Sequence, residues 1–221
     1  MVCYRIPMLS LTGTFDRLLR AFGPRHWWPG DSPLEIAVGA ILTQNTAWTN
    51  VEKAIANMRK NSLLDAQRLK AIDLVRLSEI IKPAGFYRIK AARLKAFIDF
   101  LWDEYDGSLE NMKPIETGTL RRELLAVRGI GPETADSILL YAVGKPIFVV
   151  DAYTLRFLRN HGLYTRTHAQ AHTYDKVQAF FMKHLPVDTH LFNEFHALIV
   201  LLCQKFCKNK PLCELCPLGK G

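Results

Sequence analysis

A cluster of cysteines near the C-terminal end is the first group of residues whose spacing is suited to chemistry. Four of the five cysteines lie in the last 19 residues, at Cys203, Cys207, Cys213 and Cys216. In a reducing compartment such a cluster forms a metal site more often than a pair of disulfides. Four thiolates can hold an iron–sulfur cluster or a zinc ion. Cys203 lies one helical turn before Cys207 and could face the same way.

A glycine hairpin between two apolar helices forms a second candidate site. The stretch LLAVRGIGPETADSILLYA, residues 124–142, passes through Gly129 and Gly131 into a helix that begins at Pro132. Glycine permits backbone conformations that are closed to other residues and lets another molecule approach closely. The free N–H groups and the helix dipole then form a site for phosphate. Taken alone, the pattern fits equally a helical hairpin that needs glycine for its own turn.

Two carboxylates accompany this hairpin. Glu133 follows Pro132 at its mouth, and Asp151 follows the apolar run at 146–150. An aspartate in that place could simply cap the next helix. It could also be a carboxylate at the edge of a cleft, where a helix N-terminus keeps it ionised.

The elements that must position these residues are helices. Apolar residues recur at i, i+3 and i+4 in several segments, namely 34–44, 48–60, 74–85, 89–105 and 173–185. The run PIFVV at 146–150 is the one β-like stretch, and it is short. We therefore predict an all-α protein of roughly ten helices joined by short loops, without a repeat or a low-complexity linker.

Composition narrows the class of protein. The chain has 221 residues, 49% of them hydrophobic and 23% charged, as in an ordinary globular protein. Its 29 Lys and Arg against 21 Asp and Glu favour a polyanionic partner. No run approaches the ~20 apolar residues that span a bilayer, and no signal peptide is evident. We expect a monomer that does not bind membranes and resides in the cytoplasm.

Together the motifs resemble the helix-hairpin-helix (HhH-GPD) DNA glycosylases of the endonuclease III superfamily. The hairpin has the form L-x-x-V-x-G-I-G-x-x-T-A and is followed by V-V-D. AILTQNTAWTNVEKAI matches the family's early helix-loop-helix, GFYRIKAARLK its middle helix, and the terminal cysteines its iron–sulfur loop. The resemblance covers nearly the whole chain. It implies a two-lobe fold: a six-helix bundle over residues 29–144, and a helical lobe that joins 1–28 to 145–221 and carries the cysteine loop.

The resemblance also implies a partner and a reaction. The partner is double-stranded DNA that carries a damaged base, so the protein would be associated with the nucleoid. The damaged base is flipped into the cleft between the lobes. The DNA backbone would bind at Gly129, Gly131 and Thr134. Asp151 would stabilise the oxocarbenium-like sugar and orient or deprotonate the attacking water. Gln44 matches the wedge glutamine that fills the gap in the duplex, although a helix C-cap explains it equally.

Glu133 indicates the branch of the superfamily. Members that also cut the strand carry a lysine here, which attacks the sugar as an amine nucleophile, and a carboxylate cannot form that Schiff base. The closer likeness is to the type III 3-methyladenine DNA glycosylases, which share the tryptophan-proline run, LTQNT, GFY and a glutamate after GIG. This likeness implies a monofunctional glycosylase for alkylated purines. A glycosylase for mismatched or oxidised bases and a non-catalytic DNA-binding protein are the alternatives.

In this branch aromatic residues line the base pocket. Trp48 follows TQNT, and Trp27 and Trp28 form the tryptophan-proline run. Alkylation at N3 or N7 makes adenine cationic, and indole rings hold a flat cation by stacking and cation–π attraction. The resemblance therefore implies a base pocket lined by Trp27, Trp28, Trp48 and Glu133.

The same resemblance implies a specific cofactor for the cysteine loop. Related glycosylases hold a four-iron, four-sulfur cluster in a loop like Cys207-x5-Cys213-x2-Cys216, so we expect a [4Fe–4S] cluster, with zinc as the alternative. The relatives' fourth cysteine would fall beyond Gly221, so Cys203 or a later residue is the fourth ligand. Three lysines accompany the loop, namely Lys208, Lys210 and Lys220. They suggest that the loop also meets phosphates.

Overall fold

The computed structural model describes residues 10–161, 174–208 and 210–219. Those ranges contain helices and no strand, which confirms the prediction of an all-α fold. The α-helices are α1 (Leu11–Phe22), α2 (Pro33–Leu42), α3 (Trp48–Lys60), α4 (Ala66–Ala71), α5 (Leu74–Ile80), α6 (Tyr87–Tyr105), α7 (Thr117–Ala126), α8 (Pro132–Ser137), α9 (Ala152–Asn160), α10 (Tyr174–His184) and α11 (Thr189–Lys205). A π-helical turn, Ile138–Val143, continues α8, and short 3-10 helices lie at Lys82–Ala84, Leu109–Met112 and Cys213–Leu215.

Short polar side chains explain where many of these helices begin. The side chains of Ser32, Asp65, Asp73 and Asp188 each accept a hydrogen bond from the first turn of α2, α4, α5 and α11. Each such cap satisfies a backbone N–H that has no partner within the helix and contributes ~1 kcal/mol. The helix starts are therefore encoded locally.

The chain divides into two compact units, Trp28–Lys145 and Met1–Trp27 with Pro146–Gly221. In the unit Trp28–Lys145, α2 is apolar apart from Glu35 in its first turn, as expected of a helix surrounded by others. It packs against α3, α6, α8 and the π-helical turn, and Val38, Ile41 and Leu42 are fully buried. This central helix positions the loop that follows Leu42.

The unit formed by Met1–Trp27 and Pro146–Gly221 has an aromatic core. Phe148 stacks on Phe181 with ring centroids 4.1 Å apart, and Phe192 and Phe195 meet the edge of the Phe148 ring. All four side chains are fully buried. Helices α9 and α11 pack against each other in this unit. This packing fixes the positions of the residues at the ends of the two helices.

The β-like run at 146–150 is not a strand, although residues 147–150 are buried. Helical side chains satisfy its backbone instead of a neighbouring strand. Gln178 Nε2 donates to the carbonyl oxygen of Phe148 at 2.7 Å, and the Val150 N–H donates to Tyr174 Oη at 3.2 Å. Buried backbone groups need such partners. The run therefore serves as a fixed lead into α9, which starts directly after Asp151.

No helix within the described ranges has the length and apolarity needed to cross a membrane. Lys220, named above, and Cys3, the fifth cysteine of the chain, lie outside the described residues.

Candidate active site and nucleic-acid interface

The glycine hairpin joins α7 to α8, and its two glycines differ in role. Gly129 has φ +87°, a conformation that side chains rarely adopt, and a Cβ there would lie 2.4 Å from Arg93 Cγ. The close approach at Gly129 is thus made by Arg93 of the same chain. A Cβ on Gly131 would meet nothing within 4 Å. The open side of the hairpin, where a phosphate could approach, is at Gly131.

Gln44 bridges the loop after α2 to this hairpin. Its Nε2 donates to the Gly129 carbonyl oxygen at 3.1 Å and to Thr134 Oγ1 at 2.9 Å. Arg93 Nη1 donates to Gln44 Oε1 at 2.5 Å. The residue that caps α2 is Thr43, while the side chain of Gln44 contacts the hairpin. The structure thus brings together Gln44, Gly129 and Thr134, and adds Arg93, which the sequence analysis missed.

Lys90 fixes the backbone of the same loop. Its ammonium donates to the carbonyl oxygens of Leu42 and Ala84, both at 2.7 Å, and to Thr46 Oγ1 at 2.6 Å. The side chain is 1% exposed. Burial, with a smaller contribution from the charge of Arg93, lowers the pKa of Lys90 to about 8. The signal for Lys90 in the sequence is a lysine in the apolar periodicity of α6, which we did not use.

Two of the predicted pocket tryptophans meet in the unit Trp28–Lys145. The rings of Trp28 and Trp48 lie edge-on with centroids 5.1 Å apart, and Tyr141 of the π-helical turn lies 5.2 Å from Trp28. A Cβ on Gly39 would lie 3.3 Å from Trp28 Nε1 and 3.7 Å from Trp48 Cη2, so α2 approaches both indoles closely. Trp27 is half-buried and belongs to the other unit. Tyr141 is an aromatic member that the sequence analysis missed.

A cavity of about 230 Å³ lies against Trp48. Its wall combines apolar and charged residues: Pro29, Gly30, Trp48, Glu35, Glu52 and Arg59. Arg59 Nη2 contacts both carboxylate oxygens of Glu35, at 2.7 and 2.8 Å, and also contacts Asp31 of the same wall at 2.7 Å. With three carboxylates against one guanidinium, the wall favours a cation over an anion.

Glu133 is exposed in the first turn of α8. A carboxylate is favoured there because the helix dipole places positive potential at this end. Its backbone carbonyl accepts a hydrogen bond from Ser137 Oγ at 2.7 Å.

Asp151 is the N-cap of α9, and its two carboxylate oxygens have different neighbours. Oδ1 accepts from the Thr154 N–H at 2.7 Å and from Thr154 Oγ1 at 2.9 Å. Oδ2 lies 3.6 Å from Nε2 of His196 on α11. Burial alone would raise the pKa of Asp151, but the attraction of His196 and the bonds from Thr154 lower it below its ordinary value. Capping therefore uses one oxygen and leaves the carboxylate ionised; His196 is a neighbour the sequence analysis missed.

Cys203 lies in the last turn of α11, and Cys207 lies two residues beyond the end of that helix at Lys205, where its thiol still pairs with that of Cys203. Cys203, Cys207 and Cys216 are buried free thiols, and Cys213 begins the last 3-10 helix. A hydrogen bond from Cys203 lowers the pKa of Cys207 to about 4, and the same bond raises the pKa of Cys203 far above its ordinary value. Asn160 Nδ2 also donates to Cys207 Sγ at 3.1 Å.

These cysteines only partly fit the expected metal site. Thiolates suit iron–sulfur clusters and zinc. However, within 10–161, 174–208 and 210–219 no three His, Cys, Asp or Glu side chains are grouped so that they could hold a metal ion. The structure therefore does not confirm the predicted metal centre. Lys208 and Lys210 beside it are exposed.

Comparison with known proteins places this geometry in a family. Residues 38–187 match the model of the HhH-GPD superfamily base excision DNA repair proteins. The chain is 46% identical over 203 residues to a protein of Methanocaldococcus jannaschii that is provisionally described as a DNA repair glycosylase. The aligned region covers 91% of this chain and 90% of that protein. It is 28% identical to endonuclease III of Thermotoga maritima, covering 83% of this chain and 79% of the relative.

A solved structure also resembles this chain. The crystal structure of the H. pylori 3-methyladenine DNA glycosylase bound to 1,N6-ethenoadenine superposes with a TM-score of 0.74 at 29% identity, covering 89% of this chain and 98% of that one. The family match spans more than half of the chain and includes the hairpin and Asp151. The chain therefore belongs to the HhH-GPD superfamily of base excision DNA repair proteins.

Proposed function

We propose that this DNA glycosylase is monofunctional and excises alkylated purines of the 3-methyladenine type from double-stranded DNA. The observation that carries the proposal is Trp48, which lines a cavity with three carboxylates in its wall and belongs to an aromatic group with Trp28 and Tyr141. An alkylated purine is flat and positively charged. Electron-rich rings attract it by stacking and by a cation–π interaction, worth ~2 kcal/mol in a desolvated site.

The charges of the cavity wall support a cationic base. Glu52 is exposed, whereas Glu35 and Asp31 share Arg59. The wall therefore keeps an excess of negative charge where a flat ligand would lie against Trp48. The H. pylori relative, whose fold is similar, is a 3-methyladenine glycosylase, which also supports the substrate class.

Asp151 carries the chemistry in this proposal. Because Oδ1 is occupied by Thr154, Oδ2, which lies 3.6 Å from His196 Nε2, is the oxygen that would face the sugar. As the base leaves, positive charge develops on the sugar, and an ionised carboxylate stabilises it. The same oxygen can orient or deprotonate the water that attacks the sugar. A cationic base leaves easily, so the site needs little acid to protonate it.

The absence of strand cleavage rests on Glu133. A strand-cutting member of this superfamily needs an amine nucleophile that forms a Schiff base with the sugar, and a carboxylate cannot do so. The outward position of Glu133 at the start of α8 supports a role next to the DNA rather than in the core.

DNA binding in this proposal uses the open side of the hairpin at Gly131 together with the loop that carries Gln44. A backbone phosphate accepts hydrogen bonds from the N–H groups of the hairpin, and Gln44 fills the gap left by the flipped base. The enzyme acts as a monomer.

We also propose a [4Fe–4S] cluster at the C-terminal cysteines. The buried thiols of Cys203, Cys207 and Cys216 and the sequence spacing of Cys207, Cys213 and Cys216 support it. The cluster would be a structural group, and no step of base removal depends on it. Iron and acid-labile sulfide should be stoichiometric in purified protein, which should be brown. Colourless protein with one zinc per chain would assign the alternative metal.

The test of the function is base release from duplexes that each carry one defined lesion. We expect release of 3-methyladenine or 7-methylguanine, intact strands until alkali is added, and no protein–DNA adduct after borohydride reduction. A robust adduct would exclude the monofunctional mechanism. Release of uracil or of an oxidised base, with none of an alkylated purine, would assign the enzyme to another branch.

A further inference from the structure

Arg93 and Lys90 lie three residues apart on α6 and both reach the loop after α2. Residues at i and i+3 share one face of a helix. Lys90 binds backbone oxygens at Leu42 and Ala84, whereas Arg93 binds the side chain of Gln44. One face of α6 therefore holds both the backbone of the loop and the side chain that the loop presents.

The amide of Gln44 is held in one orientation. Arg93 can only donate, so it must meet Oε1 of the amide. The Nε2 group then faces two acceptors, the Gly129 carbonyl oxygen and Thr134 Oγ1. Rotation of the amide by half a turn would place donor against donor at Arg93 and acceptor against acceptor at the Gly129 carbonyl, although the Thr134 hydroxyl can accept or donate. The contact with Arg93 thus selects the arrangement that bridges to the hairpin.

Gly129 makes this arrangement possible. A Cβ at Gly129 would lie 2.4 Å from Cγ, 2.8 Å from Cδ and 2.8 Å from Nε of Arg93. The aliphatic stem of Arg93 therefore crosses the hairpin in the space that glycine leaves open. The stem fixes the guanidinium, and the guanidinium fixes the amide.

We propose that Arg93 is a positioning residue that holds Gln44 against the hairpin, so that the loop and the hairpin present one ordered surface to DNA. This role rests on the proposed function, in which Gln44 enters the duplex. Gln44 has several side-chain torsions, and ordering them before DNA binds lowers the cost of insertion. The alternative role for Arg93 is a simple contact with a DNA phosphate.

The first test follows the Gln44 side-chain amide in the free protein. Its resonance in a nitrogen–proton correlation spectrum is assigned by its loss in Gln44→Glu. We expect a position distinct from that of exposed glutamines, and a shift toward that position in Arg93→Gln. Arg76→Gln, an exposed arginine on α5, makes the same change in charge and should leave the resonance in place. An unchanged resonance in Arg93→Gln would overturn the inference whether or not the protein excises a base.

The second test is a double-mutant cycle on single-turnover excision of an alkylated purine. In duplex DNA, Arg93→Gln should slow excision roughly three- to tenfold, the range expected for one unordered side chain. In the Gln44→Ala background, Arg93→Gln should have almost no effect on the rate of excision. On single-stranded DNA, where no gap needs filling, Arg93→Gln should also leave the rate almost unchanged. Independent losses in the cycle, or an equal loss on single strands, would assign Arg93 to a phosphate contact instead. If the wild-type enzyme releases no base, the proposed function fails, while the resonance of Gln44 still decides the role of Arg93.

Discussion

The carboxylate of Asp151 shows how one side chain can combine a structural and a chemical role. The bonds from Thr154 to Oδ1 account for the helix start, and Oδ2 lies beside His196 with no part in the cap. An asparagine could keep the cap because its side-chain oxygen accepts the same bonds. It cannot carry the negative charge. The two roles are therefore separable by one substitution.

We predict that Asp151→Asn lowers single-turnover excision by at least about a hundredfold, the loss typical of removing one preorganised electrostatic group. DNA affinity should stay within a few-fold, because the charge acts on the transition state and not on binding. Thermal unfolding would serve as a control for the cap. Retention of most of the turnover would show that Asp151 is a helix cap only.

Trp48 is the residue for which recognition and packing can be separated. It forms a T-shaped contact with Trp28 and also lines a cavity. Excision of an alkylated purine should fall in the order wild type, Trp48→Phe, Trp48→Ala, with the alanine variant at least about tenfold slower, which corresponds to 1.36 kcal/mol. Equal rates in all three enzymes would contradict a role in the base pocket and leave Trp48 as core packing.

At the scale of elements, Lys90 of α6 holds the loop between α2 and α3 in place, and we call its three hydrogen bonds the clamp. Lys90 supplies three donors to three acceptors of that region, and it is fully buried within the unit Trp28–Lys145. Replacing it by methionine keeps the length of the side chain but leaves the buried carbonyl oxygen of Leu42 without a donor, whereas that of Ala84 keeps the Thr46 hydroxyl. Such a group costs about 1–3 kcal/mol.

Lys90→Met should therefore lower the free energy of unfolding by roughly 1–3 kcal/mol. Lys53→Met, at an exposed position of α3, is the matched control and should change it by less than about 0.5 kcal/mol. Urea denaturation at pH 7 measures both. A loss no larger in Lys90→Met than in Lys53→Met would mean that the loop does not depend on the clamp.

The stabilising effect of Lys90 should also depend on pH. Its pKa is lowered from 10.5 to about 8 in the folded protein. Between these values the unfolded chain binds more protons, so the stability contributed through Lys90 rises with pH and is unchanged below the lower value. The free energy of unfolding of the wild type relative to Lys90→Met should accordingly increase from pH 7 to pH 9.5. A constant or falling difference would show that the ammonium keeps its proton throughout.

At the scale of the whole molecule, the basic charge should govern the general affinity for DNA. The formal net charge is +8, and the exposed Lys208 and Lys210 add to it near the cysteine loop. Because each neutralised phosphate releases counterions, binding to undamaged duplex should weaken steeply with salt. Removing both lysines as Lys208→Gln/Lys210→Gln should reduce the salt slope by about 1–2. An unchanged slope would mean that this loop does not meet the DNA.

The features that the sequence determined by itself are local ones. Helical periodicity and short polar caps specify the all-α fold, because they act within one or two turns of chain. The glycine hairpin and the closeness of Cys203 to Cys207 follow from spacing alone. The position of Asp151 at a helix start follows in the same way.

Only the tertiary structure decided which distant side chains meet. The contact between Arg93 and Gln44 joins residues 49 positions apart, and that between Gln44 and Gly129 joins residues 85 positions apart. The burial of Lys90 and the approach of His196 to Asp151 also depend on how helices pack. The run at 146–150 forms no strand for the same reason, since a strand needs a neighbouring strand and here helical side chains bind the backbone of the run. Packing depends on the shape of whole helix surfaces, which no local pattern of residues records.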